Sequence, residues 1–275
     1  MGKERERYKS WKRAQQQLDE VFKKPEHTIV IHYSCESFYN RENPRSPRVT
    51  SIAIRNLDSG QTKSFSIHLI AERQGLLDST EQHYDQLERQ MLEEFFKAVN
   101  VRSHCQWLHW NMRDANYGFE ALENRIRALG GEPIATVPED KRVDLSRILG
   151  SIYGAGYSHH PRLENIISMN NITAKDFLTG KNEAQAFEDK AFLRLHQSTL
   201  RKVDILANIA GRAHANDLKT LSTWWERNGR SFKAAFEWIR ENWIIGAIIA
   251  IIGYIISAWD WIKPLAHYIL TKATA

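Results

Sequence analysis

The chain has 275 residues, a formal charge of +5, 42% hydrophobic residues and two cysteines. Two cysteines exclude a disulfide framework, and the spacing of Cys35 and Cys105 suggests no metal site. No internal repeat or low-complexity tract is present, and the highly charged amino terminus, without an apolar run, is unlike a secretory signal.

Residues 1–24 carry eight Lys/Arg against four acids, with Tyr8, Trp11, Leu18 and Phe22 interspersed, which predicts a basic leading helix. Its charge suits a solvated face, with nucleic acid or anionic lipid as the alternative contact. After Pro25, Thr28–Tyr33 predicts a short buried strand. Val49, Ile52 and Ile54 mark a second strand and alternating Phe65, Ile67 and Leu69 a third, joined as a hairpin by Asn56–Gly60. Thr80–Val99 predicts an amphipathic helix, with Leu87, Met91, Leu92, Phe95 and Phe96 on one face and Ser79 or Thr80 as cap.

Gln106–Trp110 is a fourth strand, and Asn116–Leu129 a helix ended by Gly130-Gly131. Arg142–Leu145 is a fifth strand, and the chain to about Thr220 is helical. Hairpin first, strand–helix–strand units after, is the layout of an α/β ribonuclease-H-like domain, a mixed five-stranded sheet covered by helices, over residues 25–220.

Residues 221–242 place Trp225, Phe232, Phe236 and Ile239 near helical spacing among basic residues, as in a juxtamembrane amphipathic helix or an ordinary packing helix. Trp243–Trp259 is uncharged over seventeen positions. With Trp261 and Ile262 it reaches the length of a transmembrane helix, 243–262, with Trp243, Trp259 and Trp261 as aromatic belts. Arg227, Arg230, Lys233 and Arg240 precede it, and Pro264 opens the short tail 263–275. This charge distribution predicts a single-pass protein of the inner membrane with its main domain cytoplasmic. Gly246-x3-Ala250 and Gly253 offer a packing face for a homo-oligomer.

Several short segments point to a family. Ser34-Cys35-Glu36 closes the first strand, Asn116 lies three residues before Phe119, and VDLSRIL spans Val143–Leu149. His159–Thr173 follows, and Asp204 sits five residues after Thr199. In this order and layout, Thr28–Ala213 resembles the 3′→5′ exonucleases of the DEDD superfamily, the proofreading and RNase T type. The resemblance implies two divalent cations, Mg²⁺ or Mn²⁺, held by four acids around a scissile phosphate.

Here Ser34 stands at the first acid of Asp-x-Glu, Asn116 at a later Asp, and Thr199 at a catalytic His. Glu36 and Asp204 remain as metal ligands and catalytic candidates, able to hold one cation weakly. A rearranged site would add Asp114 and His196, with Asp144 a further candidate. The bland alternatives are Glu36 paired with Arg48 or Arg41, Asp114 as a helix cap, and Asp204 paired with Arg201 or Lys202. Trp110, Asn111, Arg113, Asn116 and Tyr117 offer stacking and hydrogen-bonding groups for nucleic acid, although aromatic residues at a strand–helix junction are more often core.

The expectation is a membrane-anchored, exonuclease-like pseudoenzyme that binds nucleic acid or a partner. Its alternatives are an active nuclease acting on foreign nucleic acid and a membrane-perturbing effector controlled by the soluble domain.

Overall fold

The structure is a computed structural model describing residues 3–37, 46–223, 248, 251–254 and 256–257. It divides into two compact units, one of Lys12–Ser222 and one of Met1–Trp11 with Thr223–Ala275. The larger unit is an α/β fold around a five-stranded mixed sheet of order β3-β2-β1-β4-β5. Its strands are β1 (Thr28–Cys35), β2 (Val49–Asn56), β3 (Thr62–Ser66), β4 (Gln106–His109) and β5 (Arg142–Asp144). The antiparallel pairs β1–β2 and β2–β3 form a meander, and β4 and β5 extend it in parallel from β1.

Alternation along β1 explains the two faces of the sheet. Ile29, Ile31 and Tyr33 join the main core with Ile52 and Ile54 of β2 and with Met91 and Phe95 of α3 (Tyr84–Val101). His32 and Ser34 point the other way. Ser51, the partner of Ser34 across the β1–β2 pair, has its hydroxyl 2.7 Å from that of Thr199 on α8 (Phe192–His214). Helix α8 therefore covers this second face, against β1 and β2. The leading helix α1 (Lys3–Lys23) buries Ala14, Leu18 and Val21, one stripe at helical spacing, so it is solvated on one side only.

Three boundaries differ from the sequence reading. The alternation Phe65, Ile67, Leu69 is cut after Ser66, whose hydroxyl accepts from the His68 N–H and caps α2 (Ile67–Gln74). Ile67, Ile70 and Ala71 are then buried at helical spacing, and Gly75 closes the helix in the left-handed region at φ 70°. Helix α3 starts at Tyr84, because the Thr80 hydroxyl turns back to the Leu77 carbonyl and caps nothing. Helix α4 (Phe119–Ala128) starts three residues late, because Asp114 gathers the N–H groups of Asn116 and Tyr117 into a turn.

The remaining helices of this unit are α5 (Leu145–Tyr153), α6 (Arg162–Met169) and α7 (Gly180–Glu188). Most of the expected juxtamembrane and transmembrane segments, 221–242 and 243–262, lie outside the described residues, as does the tail 263–275. Ile248, Ile251–Tyr254, Ile256 and Ser257 are helical, and Ile248, Ile251, Ile252, Tyr254 and Ile256 are exposed. Among the described residues no helix is long and apolar enough to cross a membrane.

Candidate functional site

A cleft of about 460 Å³ opens where β1 ends. Its walls are Ser34 and Cys35 from the strand with Glu36 just after it, Tyr117 from the loop before α4, and Lys181 and Glu183 from the first turn of α7. Ligands of open α/β sheets characteristically bind outside the carboxyl ends of strands. Glu36 is held there by a two-way bond to Arg48: the Glu36 N–H donates to the Arg48 carbonyl (2.8 Å), and the Arg48 N–H donates to Glu36 Oε2 (3.0 Å). The Arg48 guanidinium goes elsewhere, 4.6 Å from the centre of the Tyr84 ring and 3.6 Å from Asp85.

Tyr117 forms the opposite wall. Its ring stacks on Tyr33 at 4.5 Å, and its hydroxyl donates to the Tyr33 carbonyl (3.1 Å) and lies 3.3 Å from His32 Nδ1. Gly118 fixes that approach: a Cβ there would meet the Asp114 carbonyl oxygen at 2.8 Å. The Tyr33 hydroxyl accepts from the Gly118 N–H at 2.8 Å.

Beneath the cleft lies a polar group that the sequence reading missed. Lys202 of α8 is 5% exposed, and its ammonium is 2.7 Å from Glu183 Oε2. Glu183 Oε1 accepts from the Ser198 hydroxyl (3.1 Å), which accepts in turn from the Leu178 N–H (3.1 Å). His32 is 7% exposed, and its Nε2 has no hydrogen-bond partner among the described residues; nor has the buried Ser34 hydroxyl. Burial, and then the Lys202 ammonium, hold His32 well below the usual histidine range, so the ring is neutral. Lys202 had a signal in the sequence: with Leu195, Ser198, Thr199, Ile205, Leu206 and Ile209 it falls on the buried stripe of α8, where an unpaired lysine is rare.

The predicted site residues separate into three places. Glu36 and Tyr117 share the cleft. Asp204 is paired with Arg55 (3.0 Å) and Arg201 (3.6 Å). Arg55 lies opposite Val30 across the β1–β2 pair, six residues before Glu36, or about 20 Å along an extended strand. The expected Glu36–Asp204 metal pair is therefore corrected: the two carboxylates stand toward opposite ends of β1. His196 is also turned away from the cleft, with Nε2 2.9 Å from the Ser64 hydroxyl of β3. Thr199 makes bonds a base would not, donating to the Leu195 carbonyl at 2.8 Å beside the Ser51 hydroxyl.

The predicted nucleic-acid residues divide similarly. Trp110 is buried and belongs to the core. Asn111 turns the chain at the end of β4 with φ 56°, and Asn111 and Asp144 both engage Arg113, at 2.8 and 3.0 Å. Asp144 also caps α5 by accepting the Ser146 N–H (3.0 Å), which makes it a structural carboxylate. Asp114 is spent on its turn, and Asn116 is exposed within it. Beside them His109 is buried, its Nδ1 accepting from the Met112 N–H. Burial lowers it to about 4, against the opposing pull of Asp144.

The donor set does not fit a pair of divalent cations. Hard cations of this kind need several carboxylate oxygens around one point. The cleft offers Glu36, and a Glu183 already neutralised by the Lys202 ammonium. The Lys202 ammonium beside Glu183 disfavours a second cation at that carboxylate. None of the known protein-family models matches this chain, and no curated protein matches it, so its relationships rest on the geometry just described.

Proposed function

We propose that this protein is a membrane-anchored, ribonuclease-H-like domain of the DEDD exonuclease type that binds a phosphate-bearing ligand, such as a nucleic-acid end, without hydrolysing it. The order β3-β2-β1-β4-β5 and its mix of antiparallel and parallel pairs support the fold assignment. The observation that carries the functional reading is the Lys202–Glu183 pair beneath the cleft, with Asp204 held by Arg55 elsewhere. The Lys202 ammonium occupies Glu183, one of the two carboxylates of the cleft, which supports binding over metal-dependent hydrolysis. Lys181 and the first turn of α7 add positive potential at the cleft mouth, and the Tyr117 face offers a stacking surface.

Residues 243–262 supply the anchor in this reading, with the cleft-bearing domain on the cytoplasmic side of the inner membrane and the Gly246-x3-Ala250 face available for self-association. The helical, exposed apolar positions Ile248, Ile251, Ile252 and Ile256 support it.

The test uses the full chain in mild detergent with end-labelled single- and double-stranded DNA and RNA, with Mg²⁺ and with Mn²⁺. Binding without cleavage, insensitive to EDTA and weakened at least tenfold by Tyr117→Ala or Lys181→Glu, is the expected result. Cleavage abolished by EDTA and by Glu36→Gln refutes it in favour of an active nuclease with a rearranged site. Neither binding nor cleavage, with membrane leakage on expression that survives Glu36→Gln, points to the membrane segment as effector. Release of the full chain from membranes by alkaline carbonate would refute the anchor.

A further inference from the structure

We infer that the amino-terminal end of the sheet carries a transition-metal site, suited to Zn²⁺, made by the imidazoles of His27 and His104 and the thiolate of Cys105. The parallel pairing of β1 with β4 sets Thr28 beside Gln106. It thereby brings together the residues that immediately precede each strand: His27 before Thr28, and His104-Cys105 before Gln106. One ligand atom from each of the three lies within 4.8 Å of the other two. His27 and His104 are seventy-seven positions apart in the chain, so only the register of the sheet makes the cluster. The spacing of the two cysteines along the chain gives no hint of this cluster, because two of its three members are histidines and one lies on a different segment.

Tetrahedral zinc, with bonds of about 2.0–2.1 Å to nitrogen and 2.3 Å to sulfur, needs donors roughly 3.3–3.6 Å apart. The difference is at most about 1.5 Å, within reach of side-chain rotation. The two rings meet edge to face with centroids 5.0 Å apart, and both histidines are exposed, so they can turn without moving the backbone. Cys105 is fixed on the inner side at 3% exposure, its N–H donating to the Arg102 carbonyl (2.9 Å).

Burial pushes this thiol up, and Arg102 and Lys141 pull it back. Metal entry replaces the thiol proton, which leaves to solvent, and the resulting thiolate is the strongest donor of the set. Glu26 places a carboxylate oxygen 3.9 Å from His27 Nε2, able to orient that ring or to take the fourth position. One thiolate and two imidazoles select Zn²⁺ and its neighbours over Mg²⁺ or Ca²⁺.

The site is independent of the cleft, which lies past the other end of the eight-residue strand β1. A metal here would tie the turn before β1 to the turn after α3, joining two segments far apart in sequence, and so would act on stability.

The experiment titrates Co²⁺ into tag-free, chelator-treated full chain in detergent. The expected result is a near-ultraviolet thiolate-to-cobalt charge-transfer band that saturates at one equivalent and is displaced by Zn²⁺. The band persists in Cys35→Ser and vanishes in Cys105→Ser. His104→Ala, a change at an exposed ring that spares folding, weakens Co²⁺ at least tenfold and covers the case in which Cys105→Ser does not fold. Zn²⁺ at a hundred times its Kd raises Tm by roughly 5–10 °C in the wild type. No charge-transfer band, a band that survives Cys105→Ser, or cobalt absorption of histidine type alone would each overturn the site.

Discussion

Replacing Glu88 by alanine tests the joint that holds the cleft in place. Glu88 of α3 is fully buried, and its Oε1 accepts both the Val49 N–H at the start of β2 (2.6 Å) and Arg125 Nε of α4 (2.9 Å). The Arg125 guanidinium, 5% exposed, also donates to Glu88 Oε2, and its other acceptor is the largely exposed Asp85 at 3.1 Å. Glu88→Ala strands a buried cation and removes an acceptor from a buried N–H. Breaking such a pair costs about 3–5 kcal/mol, against a total domain stability of about 5–15 kcal/mol. Glu88→Gln keeps the Val49 bond and one bond to arginine, and is expected to cost about 1–3 kcal/mol.

Burial raises the Glu88 carboxyl even against Arg125. The native state therefore binds more protons than the unfolded chain just above the normal carboxylate range. Glu88→Met with Arg125→Met together removes both charges and leaves the Val49 N–H without its acceptor, so it should cost about 1–3 kcal/mol, less than Glu88→Ala alone. Urea unfolding followed by tryptophan fluorescence, with buried Trp107 in the same core, measures all three variants. A Glu88→Ala cost under about 1 kcal/mol, or a double variant at least as costly as Glu88→Ala, would refute the reasoning. Because Val49 follows Arg48, whose N–H holds Glu36, Glu88→Ala should also weaken the proposed binding of a phosphate-bearing ligand in the cleft.

His109 is lowered to about 4 by burial, so the unfolded chain takes up a proton near 6.5 that the native state refuses until about 4. Its stabilising contribution is complete above about 6.5 and is lost as pH falls through that window, at most about 3 kcal/mol. Buried His32 and His196 are lowered too and act in the same direction. His109→Gln should flatten the difference in urea midpoint between pH 7.5 and 5.0, and an unchanged difference would count against it. If the Lys202 ammonium keeps divalent cations away from Glu36 and Glu183, Lys202→Met should tighten Mn²⁺ binding at least tenfold. Electron paramagnetic resonance of free Mn²⁺ reads this directly, and unchanged Mn²⁺ affinity would remove Lys202 from that role.

The sheet was legible because its strands are apolar runs with turn chemistry between them. Thr28–Tyr33 and Gln106–Trp110 were located to within two residues at each end. The third strand overran because Phe65-Ser-Ile67-His-Leu69 satisfies a period of two as well as the first turn of a helix. Only the Ser66 cap decides between them. Glu36 and Tyr117 meet in the cleft, Glu36 just past the end of β1 and Tyr117 in the loop before α4, although the sequence reading puts Tyr117 inside a helix. Asp204 misled because helical spacing reports which face a residue shares, and is silent on which end of the neighbouring strand the helix has reached. His32 was hidden inside an apolar run. Glu183 becomes a site residue only when α7 packs on α8, which no local pattern encodes.

The borders of the sheet have a consequence of their own. On one side β5 has three residues, and on the other β3 has five, with Thr62 and Lys63 exposed. Neither margin offers a long apolar ladder, and a lysine on the longer one penalises a partner laid alongside it. At high local concentration such a chain resists fusion of its sheets edge to edge, and leaves any self-association to surfaces made of side chains.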